Sequence, residues 1–295
     1  MKRTWTQSEN AALARLFSSS VIREIAQKGY STLFRRLLYE SGLESSFNDD
    51  DTLRELFDEA FGILQIEGNR HEYIYKNAIT QKILLGKHSL KTSCMLSEFR
   101  AGKCKADVVI LNGTSTVYEI KSERDKLDRL ENQLYEYLRI FDQVQVITCE
   151  NHVSTLERTI PKEVGIQILT NRFTISDYRL ATSNKANICP EQIFESLQRR
   201  EYLAILDKYG IIVPEVPNTR IHSIAKQLFN SLTPQQAHEG MVEVLKKTRS
   251  PLILREFINA LPNALKAAAI SVPLSNEERY RFLDALEMKL ETVLN

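Results

Sequence analysis

Apolar residues recur at helical spacing across residues 8–40, as Leu13, Leu16, Phe17, Val21 and Ile25 and then Leu33, Phe34, Leu37 and Leu38, with a break at Gly29. This spacing predicts two helices. A further helix is predicted over 70–85, after which the pattern shortens towards alternation in three strand-like runs, 91–98, 104–111 and 115–121. An amphipathic helix over 125–141 follows, with Leu127, Leu130, Leu134, Leu138 and Phe141 on one face. The β-branched run VQVIT (144–148) predicts a buried strand, residues 152–160 a short helix, and GIQIL (165–169) another strand. Helix, three strands, helix and strand, in that order, describe a mixed α/β core with a helical crossover into a parallel strand.

Beyond Ile175 strand signals are sparse, and helices are predicted over 190–209, 219–231, 234–248, 251–269 and 276–293. Pro234 and Pro251 fall at first-turn positions, behind Thr233 and Ser250 as capping residues. The pattern divides the chain into an N-terminal helical region (1–66), an α/β domain (67–176) and a C-terminal helical domain (177–295).

Composition narrows the class without naming a partner. The 295 residues are 43% hydrophobic and 26% charged, with a net charge of +1, which excludes wholesale disorder and leaves any polyanion to be met by a local patch. One candidate patch is Lys87, Lys91, Arg100, Lys103 and Lys105, five basic residues against the single acid Glu98. From Glu44 to Glu59 seven acids accompany one basic residue, with Asp49, Asp50 and Asp51 at the centre. That run reads as a solvated loop leading into a helix, since it lacks the even ligand spacing and the glycine of a calcium loop. Four scattered cysteines (Cys94, Cys104, Cys149, Cys189) without paired spacing fit reduced thiols and a cytoplasmic protein. No run approaches the roughly 18 apolar residues of a membrane span.

Against this ordinary background, the stretch ADVVILNGTSTVYEIKS (106–122) sets charges where a core is expected. Asp107 interrupts one apolar strand; Glu119 and Lys121 interrupt the next. Burying such groups costs several kcal/mol unless they are paired or bound to a metal. Alternation puts Glu119 and Lys121 on one face, with Tyr118 and Ile120 on the other. Whether Asp107 joins them depends on the turn. A two-residue Asn112-Gly113 loop sets Asp107 opposite Tyr118, and a three-residue loop through Thr114 sets it opposite Glu119. Two carboxylates gathered in this way suit a divalent cation such as Mg²⁺, which takes oxygen ligands and lowers the pKa of a bound water. Lys121 beside them would orient that water or offset developing phosphoryl charge.

An aspartate, eleven residues and then Glu-Ile-Lys resembles the signature of the PD-(D/E)XK, restriction-endonuclease-like nucleases. The order of elements is similar to that family's αβββαβ core. The stretches SEFRAGKCKADVVI and YEIKSERDKLDRLENQLYEYLRIFDQVQVIT further resemble an uncharacterised bacterial branch of it. Ala106 stands where the motif has proline. The resemblance implies an α/β, restriction-endonuclease-like mixed sheet core with helical additions at both ends. It further implies a Mg²⁺- or Mn²⁺-dependent endo- or exodeoxyribonuclease acting in DNA repair or in defence against phage and mobile elements. Asp107, Glu119, Lys121 and Gln133 would be catalytic. Asp107 and Glu119 would ligate the metal, with Glu98 on the first strand and Glu72 on the first helix as further metal candidates.

Lys126, Arg129, Gln133 and Tyr137 fall at i, i+3, i+7 and i+11 of the predicted helix, a stripe that would point polar groups at a phosphate backbone or at the scissile region. Lys105, Lys126 and Arg129 are the candidate nucleic-acid contacts. Simpler roles compete: Glu98 paired with Arg100 or Lys105, Glu72 with Lys76 at i+4, and Gln133 bonded only to backbone. The five histidines form no ligand set. Trp5 and the tyrosines show no aromatic spacing beyond core packing, so base stacking is not indicated. A second class of function is a catalytically inactive module on the same fold, binding nucleic acid or protein. A homodimer or a protein partner held through the helical regions fits either class.

Overall fold

Side-chain hydroxyls begin many of the helices. The computed structural model describes residues 3–48 and 50–294, so Asp49 of the acidic run lies outside the described residues. Thr6 caps α1 (Gln7–Leu16), Ser18 caps α2 (Ser19–Lys28) and Ser31 caps α3 (Thr32–Ser41), each accepting a backbone N–H from the first turn. Three helices thus occupy the stretch where spacing predicts two. The break at Gly29 is present as a left-handed residue ending α2 (φ 82°), and Ser18 adds another by bonding the backbone in a non-helical conformation. Thr52 and Glu55 open α4 (Leu53–Gln65) with a reciprocal capping box. The helix α5 (Glu72–Ala78) runs on into a π-helical segment, Ile79–Leu84.

Three strands follow, β1 (Cys94–Ala101), β2 (Cys104–Leu111) and β3 (Ser115–Lys121). After them come α6 (Leu130–Leu138), β4 (Gln143–Thr148), α7 (Glu150–Thr159), β5 (Gly165–Leu169) and β6 (Ile175–Arg179). The helix predicted over 190–209 is two, α8 (Pro190–Ser196) and α9 (Arg199–Lys208), separated where Gln198 caps the second. Next are α10 (Asn218–Phe229) and α11 (Pro234–Thr248), the latter with Thr233 as its cap and proline at its first position. Shorter pieces complete the chain: α12 (Arg255–Ala260), α13 (Lys266–Ser271), α14 (Asn276–Leu286) and α15 (Leu290–Leu294).

The chain forms two units, one of Met1–Ile83, Asn171–Thr174 and Ile253–Asn295, the other of Leu84–Thr170 and Ile175–Leu252. The first is helical, and an aromatic cluster lies in its core: the Phe17 ring centroid is 5.5 Å from that of Phe57 and 4.7 Å from that of Tyr73. This grouping cuts across the three segments 1–66, 67–176 and 177–295. Helices α8–α11 share one apolar core with the sheet, whereas α12–α15 and the Glu72-bearing α5 group with the N-terminal helices. Apolar faces pack with the surface they complement, not with their neighbours in sequence.

The sheet unit is mixed α/β. Its six strands lie in the order β1-β2-β3-β4-β5-β6, antiparallel from β1 to β3, parallel from β3 to β5 and antiparallel again to β6. The predicted crossover into a parallel strand is β3-α6-β4. The sixth strand is the one the pattern conceals: Ser176, Asp177 and Tyr178 are exposed, so no apolar run marks it. Every residue of β3 is buried. The core built on Val109, Val117, Val144, Val146 and Ile166 includes Leu130 and Leu134 of α6.

A polar set ties the ends of these strands to α11. Asp142 accepts from Ser183 Oγ (2.5 Å) and from Thr114 Oγ1, and its own N–H donates to Ser115 Oγ at 3.0 Å. Ser115 Oγ in turn lies 2.8 Å from His238 Nε2. Ser115 has no exposed surface, so this serine–histidine contact joins elements and is closed to a substrate. Among the described residues no helix is long and apolar enough to cross a membrane, and all four cysteines are free thiols.

Candidate metal and nucleic-acid site

The β2–β3 turn has the three-residue form. Leu111 pairs with Ser115 and Val108 with Tyr118, which leaves Asn112, Gly113 and Thr114 as the loop. Asn112 N–H donates to Thr114 O at 3.0 Å, and Gly113 takes φ 104°, a region open to glycine. Continued by one step, this register sets Asp107 across from Glu119. On the other side β1 pairs Ser97 with Val108 and Phe99 with Ala106, so the same step sets Glu98 across from Asp107. Three acids therefore form a row across three adjacent strands.

At that row regular pairing stops. Asp107 Oδ2 accepts the Ile120 N–H at 2.8 Å, and Glu98 takes φ 53°, a left-handed backbone that costs a non-glycine residue on the order of 1 kcal/mol. Carboxylate oxygens of Glu98 and Asp107 come within 4.8 Å of one another, Glu98 exposed and Asp107 half-buried. Two carboxylates this close repel unless a proton or a cation lies between them.

Glu119 and Lys121 share a face with Val117, the face that α6 covers, and form a closed set there. Glu119 is 1% exposed; its Oε1 accepts from Lys121 Nζ at 2.7 Å and its Oε2 from the Tyr137 hydroxyl at 2.7 Å. Lys121 Nζ also donates to Gln133 Oε1 at 3.0 Å, and the Tyr137 hydroxyl lies 3.0 Å from Lys105 O. Gln133 and Tyr137 are one turn apart on α6, so the helix presents both to the same strand. Burial first, and then the Glu119 charge with Asp107 behind it, hold the Tyr137 hydroxyl far above the ordinary tyrosine range. Tyr137 remains a donor.

The helix begins at Leu130, not at 125. The Asp125 carboxylate accepts both the N–H (2.7 Å) and the O–H (2.6 Å) of Ser122, which holds the preceding segment in a turn. This corrects the predicted stripe in its first half, since Lys126 and Arg129 precede the helix; of the two directions expected for the rest, Tyr137 takes the one towards Glu119. Glu72 lies in the helical unit, exposed in the first turn of α5, with its Oε1 3.1 Å from Lys76 Nζ.

A cleft of about 730 Å³ runs between the β1–β2 turn and α6. Lys103, Lys105 and Arg129 line it with Asn132, Gln133 and Tyr135; Lys126 is not among its walls. Gly102 takes φ 57° in that turn, a left-handed backbone open to glycine. Gln133 links the two features, lining the cleft and holding Lys121. Spacing points to Gln133 and Arg129. Lys103 and Lys105 belong to the basic run read from the sequence, whereas Asn132 and Tyr135 lie on a helix whose approach to the β1–β2 turn no local pattern announces.

The family described as bacteriophage P4 protein cII matches residues 66–269. Protein cII of Enterobacteria phage P4 is 28% identical over 112 residues, covering 36% of this chain and 41% of its own length. The chain thus matches about two fifths of that relative. Among solved structures, the SPO1766 protein of unknown function from Silicibacter pomeroyi aligns with 42% of this chain and 87% of its own, at 21% identity and a TM-score of 0.28. With the family match spanning more than half of its length, the chain belongs to the bacteriophage P4 protein cII family.

Proposed function

We propose that the sheet unit is a metal-dependent phosphodiesterase acting on nucleic acid, with DNA as its substrate, built on a restriction-endonuclease-like core. The observation that carries this reading is the row Glu98, Asp107 and Glu119 across three strands, with Lys121 two residues beyond the last acid on the same face. Two members of this row, Glu98 and Asp107, are placed to share a hard cation. Carboxylate oxygens of Glu98 and Asp107 already approach within 4.8 Å, and each Glu119 oxygen keeps a second lone pair beyond its present bond. Glu98, Asp107 and Glu119 would hold Mg²⁺ or Mn²⁺. Such an ion, when bound, makes a coordinated water more acidic and neutralises charge on the phosphoryl oxygens.

The chain's own groups do the rest. Lys121 has three N–H donors, of which Glu119 and Gln133 each take one, so the third is offered to the attacking water or a phosphate oxygen. Gln133 sets the direction of that donor. Tyr137 keeps the Glu119 carboxylate from turning away. Lys103, Lys105 and Arg129 neutralise the backbone of the strand in the cleft. We place this activity in the cytoplasm, on phage or other mobile DNA, a setting in keeping with a family named for a bacteriophage protein. A second copy would supply the second cut in a duplex.

One observation favours a second reading. Glu119, Lys121 and Tyr137 satisfy one another without an ion, as expected of a catalytically inactive module that uses the cleft for binding alone.

Purified protein incubated with linear, circular, single-stranded and branched DNA, and with RNA, in Mg²⁺ or Mn²⁺ separates the two. Cleavage that Asp107→Ala and Lys121→Ala abolish, while binding survives, supports the enzyme. Binding without cleavage under every divalent ion supports the module.

A further inference from the structure

Tyr135 is 61% exposed, on the outward side of α6, and lines the same cleft as Lys103, Lys105 and Arg129. The Arg139 guanidinium lies 5.5 Å from the centre of its ring, one helical turn along. A lone surface tyrosine needs no explanation. This one is an open aromatic ring, held at one side by a cation, in a cleft whose other charged walls are mostly basic.

We infer that the cleft seats an unpaired stretch of nucleic acid, with a base stacked on Tyr135 and the flanking phosphates on Lys103, Lys105 and Arg129. The inference rests on the nucleic-acid reading of this site and extends it to the form of the substrate. A duplex keeps its bases stacked inside and offers an outside ring only sugar, phosphate and groove edges. A single strand offers π faces, and sequence-tolerant recognition of it combines a basic groove with aromatic platforms. The cleft has that combination. Its volume, about 730 Å³, is of the order of pockets that enclose small ligands, which suits a few nucleotides threaded into it. Asn132, beside the ring on the same wall, carries an amide able to meet a base edge.

The test measures binding in EDTA, where no cleavage intervenes, by fluorescence anisotropy with one labelled sequence as single-stranded DNA, as single-stranded RNA and as duplex DNA. Either single strand should bind at least about tenfold more tightly than the duplex. Tyr135→Ala should weaken single-strand binding by roughly fivefold to a hundredfold and leave duplex binding unchanged. Tyr135→Phe should keep the wild-type affinity. Because the side chain is exposed, circular dichroism should report the same fold for each variant. Equal affinity for duplex and single strand, or a Tyr135→Ala protein that binds as tightly as the wild type, overturns the inference. A cleavage assay on Asp107→Asn is read separately. Cleavage with an indifferent Tyr135 leaves the nuclease proposal intact and removes this one; a Tyr135-dependent single-strand preference without cleavage does the reverse.

Discussion

The Tyr137 hydroxyl donates to Glu119 Oε2 across 2.7 Å, where the tyrosine has no exposed surface and the glutamate 1%. A helix thus reaches down to hold one carboxylate of a three-acid row. The same carboxylate holds Lys121 through its other oxygen. This arrangement ties the charged end of the sheet to α6, with both oxygens of a buried carboxylate taken by protein donors.

Tyr137→Phe keeps the ring and removes the hydroxyl that donates to Glu119 Oε2. The variant should lose about 1–3 kcal/mol of stability, read as a lower urea midpoint with an unchanged slope. An unchanged midpoint would mean that solvent reaches the carboxylate and that the closed set does not persist in solution.

Lys121→Met leaves the Glu119 charge buried without its partner, which should cost about 3–5 kcal/mol. Glu119→Gln combined with Lys121→Met should be less destabilised than the sum of the two single changes, since the combined variant has no unpaired charge. A double-mutant cycle by urea denaturation measures the coupling, and strictly additive losses would refute it.

If the acid row holds a catalytic cation, Asp107→Asn should lower the cleavage rate by at least about a hundredfold. Chelation should abolish cleavage and Mn²⁺ restore it. Nucleic-acid binding, carried by the cleft, should change little. Cleavage that persists in EDTA would exclude the metal site.

His238 supplies a pH dependence away from this site. Burial pushes its pKa down to about 4; Asp142 opposes this, Lys185 adds to it and Glu239 opposes it. In the unfolded chain the imidazole titrates near its ordinary value, about 6.5. Between those values the unfolded state takes up a proton that the folded state refuses, so stability is fully present above about pH 6.5 and declines as pH falls towards 4. The loss should approach about 3 kcal/mol, followed as urea midpoints across that window. His238→Gln should flatten the profile there; an unaltered slope would assign it to other groups.

Much of the sheet unit was legible because its signals are local. β-Branched runs and alternation mark β2 to β5, and the face shared by Val117, Glu119 and Lys121 follows from a period of two. Gln133 was legible from the family resemblance and from its place in the helical stripe, and the structure adds its bond to Lys121. Other features were not. The apolar period runs on through 125–129, yet the bonds between Ser122 and Asp125 hold that segment out of the helix. β6 was hidden because its exposed residues leave no apolar pattern. Tyr135 looked ordinary until α6 was placed beside the β1–β2 turn, and Tyr137 matched a surface stripe although it is buried.

What this sequence determined by itself is which residues could carry charge into the core: Asp107, Glu119 and Lys121 interrupt strands whose alternation is set by backbone geometry alone. Tertiary structure alone decided whether they meet. The choice between a two- and a three-residue turn at Asn112-Gly113 shifts Asp107 by one residue against β3. That choice is settled by the packing of whole strand faces under α6, together with the Thr114 and Ser115 contacts to Asp142 and His238. A turn sequence compatible with both registers carries too little energy to choose, whereas burying one face of a sheet and not the other does.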